Sequence, residues 1–249
     1  MGKTHAALER AEKEYHENLL ETVDDSQKTL FLKRSEKLQM QMPSDRFQEV
    51  KTKLVTGFPL GSVKTILFTG TANGDGCTTT AASFANTITQ FCRLNVLLID
   101  ANLRTPRLHE IFNIKYNQGL GNLLAIGEDD KAALFKKVGH GNLYLIPCGK
   151  KCRGPLSIFE SACFDETLKQ AREKFDYVII DAPPVSGYAE TKAIGKKADG
   201  VILVIEFGKT RKQVAIRAKQ ELEDAGAKVL GVILNRRKHY IPEWIYKRL

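Results

Sequence analysis

Nine consecutive residues, Thr71-Ala72-Asn73-Gly74-Asp75-Gly76-Cys77-Thr78-Thr79, carry the strongest chemical signal in this chain. Their spacing follows GxxxxGK(S/T), a loop in which the lysine reaches the β- and γ-phosphates of a nucleotide and the hydroxyl residue binds magnesium. Thr71 stands at the first glycine position, Cys77 at the lysine, and Thr78 keeps the hydroxyl. A free thiol, with an ordinary pKa of about 8.5, is largely neutral at pH 7 and cannot replace an ammonium group. A charge-assisted hydrogen bond to phosphate contributes roughly 1.5–3 kcal/mol. Its loss predicts nucleotide binding weakened about ten-fold to a hundred-fold. The effect on phosphoryl transfer is larger still, because the same charge stabilises the transition state.

Two apolar runs end in aspartate, Val96-Leu97-Leu98-Ile99-Asp100 and Tyr177-Val178-Ile179-Ile180-Asp181. Delivered to the sheet edge that carries the loop, Asp100 and Asp181 would hold magnesium, directly or through water, or polarise an attacking hydroxyl. The plainer role of a strand-ending aspartate is to cap a turn or a helix. Two of them downstream of a phosphate loop favour the site. The expected nucleotide contacts are Gly74, Asp75, Gly76, Cys77, Thr78 and Thr79, with Thr78, Asp100 and Asp181 around the metal.

The hydrophobic pattern shows which elements must place these groups. Residues 64–69 (KTILFT) read as a buried strand, and Ala81, Phe84, Ala85, Ile88 and Cys92 recur at helical spacing, predicting a helix over 78–92. A strand feeding a glycine-rich turn that opens a helix aims backbone N–H groups and the positive end of the helix dipole at one point, where an anion can sit. Further strands are expected at 96–100, 143–147, 177–181, 201–206 and 229–235. Continuous apolar runs separated by helix-length segments predict an α/β fold, a parallel sheet covered by helices on both faces. Ligands of such sheets sit at the carboxyl ends of the strands. Residues 1–42 are highly charged, with one helical stripe through Leu8, Ala11, Tyr15 and Leu19, and predict an N-terminal helical arm. Pro43 breaks it, and Ser44 or Asp45 caps a helix running to about Thr56. Residues 43–249 form the second domain.

A chain of 249 residues with 43% hydrophobic content suits one sizeable α/β domain plus appendages. No run approaches the roughly 18 apolar residues that span a bilayer, and the first residues are too polar for a secretory signal, which predicts a cytoplasmic location. Cys77, Cys92, Cys148, Cys152 and Cys163 are odd in number and irregularly spaced, arguing against a disulfide framework and against zinc. The net charge of +9 suits nucleic acid, an anionic membrane or an acidic partner. No nucleic-acid motif accompanies it, so no nucleic-acid partner is expected. Residues 236–249 hold five Lys/Arg and one acidic residue among Tyr240, Trp244 and Tyr246. That composition suits a bilayer's headgroup region and equally a solvated end whose aromatics pack back on the domain.

The segments Asp100-Ala101-Asn102-Leu103-Arg104-Thr105-Pro106, Phe175-Asp176-Tyr177-Val178-Ile179-Ile180-Asp181-Ala182-Pro183-Pro184-Val185 and Gly231-Val232-Ile233-Leu234-Asn235 resemble motifs of the bacterial tyrosine autokinases of capsule and exopolysaccharide synthesis. These belong to the partition-ATPase-like group of P-loop proteins. The resemblance runs from about Ser44 to the C-terminus, and Ala6-Ala7-Leu8-Glu9-Arg10-Ala11-Glu12 is similar to the short arm of some members. It implies a P-loop NTPase-like fold, ATP and Mg2+ as cofactors, Asp100 orienting an acceptor hydroxyl, and Asn235 near the nucleotide base. It also implies Tyr240 and Tyr246 as autophosphorylation candidates and a membrane chain-length regulator as partner, met through the arm and the tail.

Four departures from that pattern bear on activity. Cys77 replaces lysine, and Asn102 replaces the second acid of an Asp-x-Asp motif, giving an amide that cannot neutralise magnesium. The helix motif for ring assembly falls on Asp45, Gln48 and Lys51 and lacks its two arginines, and the tyrosine tail is sparse. Arg104 or Arg107 is the candidate for a compensating charge. Together these features predict a kinase fold with reduced catalysis, a regulatory or assembly partner working as a homo-oligomer or beside an active kinase paralogue, peripheral at the inner face of the cell membrane. The alternatives are a working ATP-dependent tyrosine kinase or ATPase that tolerates Cys77, and a partition- or septum-positioning ATPase. The second lacks support because the signature lysine early in that group's loop is absent.

Overall fold

The computed structural model describes residues 63–115, 118–125, 134–139, 141–150 and 154–236. The helical arm, the helix expected from Ser44 or Asp45, the positions Asp45, Gln48 and Lys51, Cys152, and the tail with Tyr240, Trp244 and Tyr246 lie outside the described residues.

In chain order the elements are β1 (Thr65–Gly70), α1 (Cys77–Cys92), β2 (Val96–Asp100), α2 (Leu108–Ile111), a 3-10 helix (Leu120–Ala125), β3 (Lys136–Lys137), β4 (Leu143–Ile146), α3 (Pro155–Phe159), α4 (Ala162–Lys174), β5 (Tyr177–Asp181), α5 (Ala189–Lys197), β6 (Gly200–Glu206), α6 (Lys212–Asp224) and β7 (Val229–Asn235). The seven strands form one sheet in the order β3-β4-β2-β5-β1-β6-β7. Every pairing is parallel except that of β3 with β4. To the expected parallel sheet this adds one antiparallel edge strand of two lysines, which pairs through its backbone and offers no apolar pattern to read.

β1 is central because all six of its residues are buried, which only a strand flanked by strands and covered on both faces allows. Alternate residues serve opposite faces. Leu67, Leu97, Ile99, Val178 and Ile180 share one cluster with Phe159, Phe164, Ile194 and Leu222 from the helices of the second half. On the other face Phe68 meets Phe84 of α1, ring centroids 5.3 Å apart, and Ala81, Ala85 and Ile88 of that helix are buried with it. The helical stripe read from the sequence is thus the face that α1 presents to the sheet.

The amino-terminal edge of the sheet is tied by one polar junction. Asp199 Oδ2 accepts from the backbone N–H groups of Lys64 and Thr65 at 2.8 and 2.7 Å. Arg172 of α4 donates from Nε to Thr65 Oγ1 and from Nη2 to the Lys197 carbonyl and Asp199 Oδ1, at 2.8, 2.7 and 3.3 Å. This junction lies at the end of β1 opposite the phosphate loop. Asp199→Ala should therefore lower unfolding free energy by about 2 kcal/mol in urea titrations, through loss of hydrogen bonds to a charged group, and leave ligand affinity unchanged.

Candidate functional site

The site is built where three parallel strands end. Gly70 closes β1 and the chain turns through Thr71–Gly76 into α1, whose N-cap Gly76 has φ 85°, left-handed backbone that glycine adopts without a Cβ penalty. β5 lies beside β1 and β2 beside β5, in a register that sets Asp100 opposite Asp181. Both strand-ending carboxylates thereby reach the edge that carries the loop, as their sequence positions suggest.

Asp181 and Asp100 are both fully buried. Asp181 Oδ1 accepts from the Cys77 thiol at 3.2 Å. Asp100 Oδ2 accepts from the backbone N–H of Leu108 at 3.2 Å, so half of this carboxylate does the turn-capping task of its plainer reading. The other oxygen of each, Asp100 Oδ1 and Asp181 Oδ2, has no hydrogen-bond partner among the described residues. Burial pushes the Asp181 carboxyl up to about 6, with hydrogen bonds from Thr78 and Cys77 pulling the other way. Burial and then the Asp181 charge hold Asp100 well above the carboxylate range. Burial, followed by the same Asp181 charge, raises the Cys77 thiol, so the lysine position presents a neutral donor bonded inward.

A divalent cation fits what is left open. Two buried carboxylates in register, each with an unpartnered oxygen, call for positive charge, since an unpaired buried charge is costly. Thr78 at the start of α1 adds a hydroxyl. No group of three or more described His, Cys, Asp or Glu side chains is arranged to hold a metal. Two carboxylates and a hydroxyl are the sparse protein donor set magnesium takes when water and phosphate complete its octahedron.

The remaining candidate residues have protein partners of their own. Asn102 Oδ1 accepts from Thr105 N and Oγ1 at 3.1 and 3.2 Å, closing a turn. Arg104 donates to buried Glu190 at 2.7 Å and stacks on Tyr188 at 5.1 Å, while Arg107 lies 3.8 Å from Glu110, so both compensating arginines are paired with glutamates. Asn235 Nδ2 donates to the Asp75 carbonyl at 2.8 Å, placing its amide on the loop itself. Sequence reading missed this contact and the role of the Asp75 side chain, whose Oδ2 accepts three hydrogen bonds from Thr71 and Ala72. The available signal was an acid among residues needing their N–H groups satisfied. Glu190 offered no motif.

Asp181 supplies a pH test. Its folded pKa of about 6 lies above the roughly 3.9 of an unfolded aspartate. The folded state then binds more protons across that window, so stability falls as pH rises through it, and the cost of the ionised group is fully present above it. Asp100 shifts in the same direction. In thermal melts with chelator, Asp181→Asn should melt above the wild type at about pH 7.5, the difference shrinking toward pH 4.

Residues 63–213 match a family described as an AAA domain. The chain is 32% identical over 198 residues to tyrosine-protein kinase YwqD of Bacillus subtilis, covering 78% of this chain and 81% of that one. Among solved structures, the chimerical protein CapA2B2 superposes with a TM-score of 0.74 at 28% identity, covering 81% of this chain and 88% of that one. The kinase domain of the Escherichia coli tyrosine kinase ETK superposes with a TM-score of 0.73 at 26% identity, covering 80% and 79%.

Proposed function

The chain belongs to the bacterial tyrosine autokinase family, and we propose that this member has weakened ATP binding and reduced catalysis, and serves as a regulatory or assembly partner in exopolysaccharide or capsule export. One observation carries this reading: the position that should offer a cation to the β- and γ-phosphates offers a neutral thiol, hydrogen-bonded to Asp181. The pairing of Arg104 with Glu190 supports it, because that guanidinium is committed elsewhere. A membrane chain-length regulator is the proposed partner, met from the cytoplasm at the inner face of the membrane. No helix among the described residues is long and apolar enough to cross a bilayer.

In an active relative of this arrangement each group has a defined task. Bound magnesium would supply charge neutralisation to the phosphates. Asp181 and Thr78 would hold that cation, and Asp100 would orient the acceptor hydroxyl and take its proton. Backbone N–H groups at the start of α1 would hold phosphate oxygens. Thr78, Asp100 and Asp181 are all present and favour the second reading, a working kinase that tolerates Cys77. What position 77 lacks is the side-chain cation that would tighten on the transferring group.

Purified protein distinguishes the two readings. Magnesium-dependent ATP turnover and phosphotyrosine formation should be absent from the wild type, and Cys77→Lys should tighten ATP binding about ten-fold to a hundred-fold. Turnover by the wild type that Asp181→Ala abolishes would contradict the reduced-catalysis reading and establish the working kinase.

A further inference from the structure

The loop holds its shape without a lysine, and residues of the chain itself hold it. Asp75 Oδ2 accepts from Thr71 N at 2.8 Å, Thr71 Oγ1 at 2.8 Å and Ala72 N at 2.9 Å. The side chain is 2% exposed and lies under the loop, against the end of β1, where a Cβ on Gly70 would stand 3.2 Å from the same oxygen. From above, the Asn235 amide donates to the Asp75 carbonyl at 2.8 Å, and it sits so close that a Cβ on Gly76 would fall 2.1 Å from its nitrogen. The carboxylate thus fixes the first two residues of the loop and the amide fixes its far side. Neither contact uses the N–H groups of Cys77, Thr78 and Thr79, the first turn of α1, whose donors have no partner within the helix.

A carboxylate beside an anion site has two opposite readings. Facing the anion, it competes and repels; turned beneath the loop, it positions the donors that bind the anion. Its burial and its three loop donors place Asp75 in the second arrangement. We propose that Asp75 is the positioning residue of this phosphate loop, an internal brace with Asn235 as its counterpart, and that the braced turn accepts the diphosphate group of a nucleotide through backbone donors alone. This rests on the reading of Cys77 given above, in which no side-chain cation at that position shares the task. It also gives Asn235 a role distinct from contact with the base.

The test uses the full chain, free of ligand and then with Mg2+ and either ADP or inorganic pyrophosphate. Amide hydrogen exchange across residues 71–80 should accelerate about ten-fold or more in Asp75→Ala. It should stay near the wild-type rate in Asp75→Asn, which keeps a carbonyl oxygen for the two backbone donors. By calorimetric titration Asp75→Ala should lose about ten-fold or more in affinity for both ligands, and Asp75→Asn should keep it. Thr71→Val, which removes one of the three donors, should fall between them and carries the test if Asp75→Ala does not fold.

Tighter binding by both Asp75 variants would identify a repelling carboxylate and overturn the brace. Unchanged exchange and affinity in Asp75→Ala, or a wild type that takes up neither ligand, would overturn it equally. ATP turnover by the wild type bears on the Cys77 reading alone, so failure of the brace and failure of that reading are separable.

Discussion

Two buried carboxylates with no side-chain cation at the lysine position set the terms for everything else at this sheet edge. Asp100 and Asp181 are placed side by side by the pairing of β2 with β5, a register fixed by the apolar residues that precede them on both strands. Like charges brought together in a low-dielectric interior favour protonation, a bound cation, or a neighbouring donor. Two of these responses are visible: the Cys77 thiol satisfies one oxygen of Asp181 and the Leu108 N–H one oxygen of Asp100, while burial raises both carboxyls toward protonation, and the other oxygen of each has no partner among the described residues. The arrangement is a buried carboxylate pair with no side-chain cation at the neighbouring loop position.

Removing that cation need not disorganise the loop, because its geometry has other supports. Asp75 and Asn235 tie it from two sides, and Gly76 turns the chain into α1 at a φ few other residues adopt without strain. The loop's shape and the loop's charge are therefore separable properties here. Shape rests on the hydrogen bonds Asp75 makes within the loop and the one Asn235 of β7 makes to it, while the charge offered at the lysine position depends on residue 77. The proposed regulatory or assembly role needs only the first.

Much of the fold was legible in the sequence because parallel strands buried on both faces leave uninterrupted apolar runs. The strands at 96–100, 177–181 and 229–235 fall where those runs fall, and the first strand is displaced by a single residue. β3 was not legible, since two lysines pairing by backbone alone leave no hydrophobic trace. At the site, residue types and strand ends were readable and side-chain partners were not. The thiol of Cys77 meets a carboxylate 104 residues away, and Asn235 reaches back 160 residues to Asp75, separations that no local periodicity records. Arg104 read as a compensating charge because Glu190, its buried partner, belongs to no motif.

The most direct measurement of the missing cation's consequence is a side-by-side calorimetric titration of the wild-type chain with ATP and with ADP, each with magnesium. A lysine at the loop distinguishes the two nucleotides by gripping the γ-phosphate, whereas backbone donors and a neutral thiol have little with which to do so. Affinities for ATP and ADP should then lie within about three-fold of each other. ATP binding more than about ten-fold tighter than ADP would show that another group reads the γ-phosphate and would contradict it.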